Sequence, residues 1–202
     1  MVMGHYATAL IPYAYKSNRN LAPFWFFLLA TQALDFIMLF LVMIGVESVE
    51  PGNFFAASFK HMVVDMTYSH DILPVVGWSI LFTAITFAVF KSPRLALIVF
   101  ALTVLHELMD LFVGFEHYWF GAPTSADSTV FGLGLYNSAP LMGILMELVI
   151  CAGLLVWYFR KRAVDGAPVS QRSKLILSWV LVGFTAFLLT IANQSLIDLF
   201  SS

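Results

Sequence analysis

Long apolar runs separated by short polar breaks set the pattern of this chain from start to end. A helix needs about 20 apolar residues to cross a hydrocarbon core. Four runs reach that length, at 22–46, 72–90, 95–113 and 174–197; a fifth, 140–159, is interrupted only by Glu147. Lys91-Ser-Pro-Arg94 turns the second run into the third. The pattern predicts an all-α integral membrane protein with about five transmembrane helices, one polytopic domain over 1–202. No internal repeat or long linker divides it.

Residues 1–15 form a shorter apolar run, about 22 Å long as a helix. It either lies flat on the membrane face or rises partway into the bundle, and the pattern alone does not choose. Its first basic residues, Lys16 and Arg19, follow the run rather than precede it, so it does not read as a cleaved signal.

Composition narrows the solvent. The chain is 60% hydrophobic and 11% charged, whereas globular domains carry roughly 25% charged residues. So few charges cannot cover it in water, and lipid is the expected solvent. A net charge of −2 gives no basis for nucleic acid or an acidic substrate. The lone Cys151 excludes disulfides and thiolate clusters within one chain, and it reads as a small buried apolar residue.

Basic residues then predict direction. Lys16, Arg19, Lys91, Arg94, Arg160, Lys161, Arg162, Arg172 and Lys174 all fall on one side of this arrangement, and only Lys60 falls on the other. The 160–174 loop is therefore expected to be cytoplasmic, with loops 47–71 and 114–139 outside. Pro51-Gly52 and Gly121-Ala-Pro123 punctuate those outer loops. Tyr118, Trp119, Phe120 and Tyr136 suit an interfacial aromatic belt.

Several ionisable residues interrupt the apolar runs: Asp35, His106, Glu107, Asp110 and Glu147, with His70 and Asp71 at the mouth of the second run. Such groups are costly in a membrane and usually face a bundle interior. At about 1.5 Å per residue, Asp35, His106, Asp110 and Glu147 all lie about 18–24 Å above the basic end. His106 and Asp110 share a helix face at i,i+4 and can grip one ion. Imidazole with carboxylate and no sulfur suits Zn²⁺, Mn²⁺ or Fe²⁺. His61 and Asp65 repeat the spacing in the first outer loop. Two other uses remain open for these groups: hydrogen bonds between helices and a proton relay.

The motifs Gly4-His5, Gln32-Ala-Leu-Asp35, Tyr68-Ser69-His70, His106-Glu-Leu-Met-Asp110 and Gly132-Leu-Gly-Leu-Tyr-Asn137-Ser138 follow one another in that order. This ordered set resembles a group of small bacterial membrane proteins related to the predicted membrane-bound metal-dependent hydrolases. The likeness extends over residues 4 to about 160. It departs at Asp71, at Glu107 and at Glu116-His117, where carboxylates are added. The resemblance implies a bacterial inner-membrane location and metal-dependent hydrolysis. It also adds His5 to the ligands, which implies that residues 1–15 enter the bundle.

The leading expectation is a divalent transition-metal site in the outer half of the bilayer, zinc first, with manganese or iron as alternatives. Its ligands are His5, Asp35, His70, His106 and Asp110. Glu147 serves either as a further ligand or as a partner that holds an imidazole N–H. Glu107 and Asp71 are the candidate general bases. Membrane lipids surround the chain, and the expected substrate is lipid-like. The alternative is a non-catalytic subunit or stabiliser of a larger membrane complex, or a homo-oligomer. A small transporter ranks last because repeats and paired broken helices are lacking.

Overall fold

A computed structural model describes residues 2–121 and 129–201. The chain is mostly helical with little sheet. Three short helices, α1 (Met3–Thr8), α2 (Leu10–Ala14) and α3 (Lys16–Arg19), open it. Ala7, Ala9, Leu10 and Ala14 are fully buried, so residues 3–14 enter the bundle rather than lie across its face. Small alanines allow this, because α1 must fit among α4 (Phe24–Thr31), α7 (Pro93–Val113) and α9 (Pro140–Val164).

The run expected at 22–46 is two helices. α4 and α5 (Ala33–Met43) meet at Gln32 with a bend of 56°. Neither proline nor glycine stands at the break; instead a side-chain donor enters the backbone ladder there. His106 Nδ1 donates to the Thr31 carbonyl at 2.6 Å. The break also puts Asp35 in the first turn of α5, where a carboxylate suits the helix dipole.

The predicted second and third runs form an antiparallel pair, α6 (Ile72–Phe90) and α7. Their turn is built from local chemistry. Lys91 adopts a left-handed conformation, Ser92 Oγ accepts the Leu95 N–H at 3.2 Å, and Pro93 opens α7. α9 runs on to Val164, past the expected end at 159. The last span starts earlier than expected and ends sooner. α10 (Gln171–Ser178) is capped by Ser170, passes through a π turn at Trp179–Gly183 and α11 (Phe184–Leu188), and stops near Ile191. Asn193, Gln194 and Ser195 end it, and the Ser195 hydroxyl bonds Asp198 to open α12 (Leu196–Ser201). Among the described residues, four helices are long and apolar enough to cross a membrane, or five if α4 and α5 count as one span.

At one end of the bundle, basic groups gather. Arg94 bonds Ser17, Lys161 lies over the Tyr15 ring and Lys174 over Phe159. The opposite end carries an antiparallel hairpin of β1 (Ser48–Glu50) and β2 (Val63–Asp65), paired Val49 to Val64. β-branched residues favour a strand here, so His61 and Asp65 do not share a helix face. His61 bonds Ser58 and Asp65 caps Thr67. Asn137, in the short helix α8 (Leu135–Ser138), donates to the Phe59 and Met62 carbonyls at 3.0 and 2.9 Å and fastens the hairpin loop. The Gly121-Ala-Pro123 turn falls partly outside the described residues.

Candidate metal centre

Five of the expected ligands converge from four separate segments. α1 supplies His5, the first turn of α5 supplies Asp35, the residue pair before α6 supplies His70, and α7 supplies His106 and Asp110. His5 Nε2 lies 3.1 Å from Asp110 Oδ1, and its ring stacks on His106 with centroids 3.5 Å apart. His106 Nε2 lies 3.4 Å from Asp110 Oδ2 and 3.7 Å from Asp35 Oδ1. His70 Nε2 is 3.5 Å from Asp35 Oδ1. Two overlapping sets, His5–Asp35–His106 and His70–His106–Asp110, each bring their ligand atoms within 4.8 Å of one another. This buried His/Asp group could hold a metal ion.

Hydrogen-bond partners assign the imidazole protons. The Thr31 carbonyl can only accept, so His106 carries its proton on Nδ1. His70 Nδ1 meets Ser69 Oγ at 2.8 Å, and that hydroxyl gives its single hydrogen to Glu47 at 2.8 Å. Glu47 is an acceptor throughout, since it also takes the backbone N–H groups of Tyr68 and Ser69. Ser69 Oγ must therefore accept from His70 Nδ1. Both Nε2 atoms are left with lone pairs, and they face each other at 3.3 Å. Two lone pairs cannot bond one another; a cation or an added proton between them can satisfy both. Holding the far ring nitrogen of each histidine is how proteins orient metal-binding imidazoles.

Glu147 has a different task from the two expected for it. Its Oε1 accepts the Met3 and Gly4 N–H groups, the latter at 2.8 Å, and its Oε2 accepts the Tyr136 hydroxyl at 2.6 Å. Both oxygens are occupied, with no imidazole among these partners. Glu147 anchors the start of α1, the helix that delivers His5. Tyr136 is accordingly buried, 2% exposed, rather than part of an aromatic belt, whereas Trp119 and Phe120 are exposed.

Neither candidate base lines the cavity above the cluster. Asp71 accepts the Tyr118 N–H at 2.9 Å and the Gly121 N–H at 2.6 Å, which pins the 114–121 loop to the mouth of α6. Burial raises its carboxyl from the ordinary value, and those two N–H donors act against the rise. Glu107 is buried and makes no hydrogen bond through either oxygen among the described residues. His117 Nδ1 approaches it at 3.3 Å, but that N–H is directed at the His70 carbonyl, 2.8 Å away. Burial pushes His117 down to about 4.

Gly114 is a spatial requirement. A Cβ there would stand 2.8 Å from the Asp110 carbonyl and 3.0 Å from its Oδ1. Gly132 serves the same loop at φ +85°, against the Leu111 backbone.

A cavity of about 180 Å³ opens beside Asp35, His70 and Asp110. The hairpin and its loop cover it. Asp35 is the most exposed of the three, with 28% of its side chain accessible. Comparison with protein-family models, curated proteins and solved structures finds no match, so the site is read from its own geometry. Sequence reasoning missed Glu47 and Thr31 as contributors and noted His117 only within the Glu116-His117 departure. Glu47 carried a signal, an acid at the end of the first apolar run; a backbone carbonyl carries none.

Proposed function

We propose that this chain is an integral membrane protein whose His5, Asp35, His70, His106 and Asp110 hold a divalent transition metal, zinc first, and that the centre hydrolyses a lipid-like substrate. The facing Nε2 atoms of His70 and His106 carry this reading, because their other ring nitrogens are committed as donors. The donor set of imidazole and carboxylate fits zinc, manganese or iron rather than softer ions. The helix hydropathy and the collection of basic residues at one end favour a bilayer with that end cytoplasmic. The hairpin, cluster and cavity then belong to the outer half.

His5, Asp35, His70, His106 and Asp110 would hold the ion, and the chemistry it would supply there is activation of a water and polarisation of a scissile group. The chain supplies the rest. Asp35 turns Oδ1 to His70 and His106, so Oδ2 is the oxygen left to take a proton. The apolar cavity wall excludes bulk water and receives the acyl or alkyl part of a substrate. Ser69 and Glu47 hold His70 against rotation.

The test is elemental analysis of protein purified in mild detergent, paired with hydrolysis of short lipid-like esters, amides and phosphodiesters. Near-stoichiometric metal and turnover, both lost in His106→Ala and Asp110→Ala, are expected. Metal-free folded protein overturns the centre and leaves a proton shared by His70 and His106. Full metal without hydrolysis of any of these classes overturns the hydrolase.

A further inference from the structure

The cavity beside the cluster has two chemically distinct ends. Its walls are Met38, Val49, Met62, Val64, Met66 and Phe115, with the carboxylate and imidazole groups of Asp35, His70 and Asp110 at one end. At about 180 Å³ it is slightly larger than the ~150 Å³ apolar cavity that takes benzene. Methionine walls adapt to the shape of what they enclose. Of the two other polar residues in this lining, Tyr136 gives its hydroxyl to Glu147, and His117 is the exception. It is 1% exposed, its Nδ1 is committed to the His70 carbonyl, and its Nε2 meets no partner among the described residues. A neutral imidazole that donates through Nδ1 can only accept through Nε2. Buried acceptors are normally satisfied, so this one marks where a bound molecule presents an N–H or O–H.

We propose that the cavity binds a carboxamide-type head joined to a small apolar group. Its carbonyl would turn to the Asp35–His70–Asp110 end, its N–H would donate to His117 Nε2, and a group of about phenyl size would lie among the methionines. This inference rests on the metal-centre reading and narrows its substrate class to short acyl or aryl amides.

Hydroxamic acids carry the same carbonyl and N–H and chelate metals, so they are the probes. The full chain in detergent, loaded with Co²⁺, is titrated with acetohydroxamate and benzohydroxamate and followed by the visible d–d bands and by calorimetry. Benzohydroxamate is expected to bind at least tenfold more tightly. His117→Ala should weaken it about tenfold, and Val64→Trp, which fills the cavity, should abolish the preference while the cobalt bands before titration stay unchanged. Val49→Trp replaces Val64→Trp if that variant does not take up cobalt. Intact bands with equal affinity for the two probes, or with no effect of His117→Ala, overturn the cavity assignment alone. Absence of cobalt bands from the native protein overturns the metal centre and this inference with it.

Discussion

α6 and α7 lie side by side, antiparallel, nearly equal in length and apolar character, yet they do opposite work. In the most apolar stretch of each, 17% of α6 is buried and 50% of α7. α6 turns Val75, Ser79 and Thr86 inward, while Leu73, Val76, Ile80, Ile85 and Phe90 face out. Large apolar residues outside and small or polar ones inside reverse the soluble arrangement and suit lipid. α7 buries His106, Glu107 and Asp110 together with Leu102 and Val113. Hydropathy tells a helix that can enter a bilayer; it does not tell which helix the others surround. α7 is central because α1, α4, α5, α8 and α9 all touch it.

The largest effect that can break this contrast lies in α7. His106→Ala or Asp110→Ala should weaken metal retention by more than 100-fold, read by competition with a chelator, whereas Ile80→Ala in α6 should leave it unchanged. Equal losses from the two helices would erase the distinction.

Next in size is a pH effect at the loop that extends the buried face of α7. His117 is near 6.5 when unfolded and about 4 when folded. Between those values the unfolded chain binds the extra proton, so stability falls as pH drops from 6.5 to about 4 and levels off below. The loss is about 3 kcal/mol. Thermal unfolding in detergent should show this slope, and His117→Asn should flatten it.

Smaller again are the groups that orient His70. Ser69→Ala and Glu47→Gln should each reduce metal affinity about 10–100-fold, measured by the same competition, with the helical circular dichroism preserved. Gly114→Ala belongs beside them, since its methyl would press on the Asp110 carbonyl and Oδ1.

The smallest effect is expected on the α6 side of the helix pair. The Ser79 hydroxyl is buried with no hydrogen-bond partner among the described residues. Ser79→Ala should therefore be neutral or slightly stabilising, within about 0.5 kcal/mol. A large loss in thermal stability would show that α6 contributes polar contacts to the bundle after all.

Much of the architecture was legible in the residues themselves. Run length located α6 to the residue and the starts of the other long helices to within about three positions, while the ends of α9 and of the last helix fell five and six positions away, because helix propagation and apolar patterning are local properties and helix ends are not. The Lys91-Ser-Pro-Arg94 turn was equally local. The i,i+4 spacing of His106 and Asp110 put both on one face without reference to any other helix. What spacing could not supply was the break at Gln32, because its cause is a ring donor that lies 75 residues after Thr31. The role of Glu147 was hidden for the same reason: its partners are backbone N–H groups at the start of the chain, and a backbone donor leaves no mark in a sequence. His117 looked like a loop residue until the loop folded back over His70. The chain alone determined which groups are too costly to leave unpaired in an apolar interior. Tertiary structure decided with whom each is paired, because hydrogen bonds and ion coordination depend on approach within a few ångströms between segments that sequence order leaves far apart.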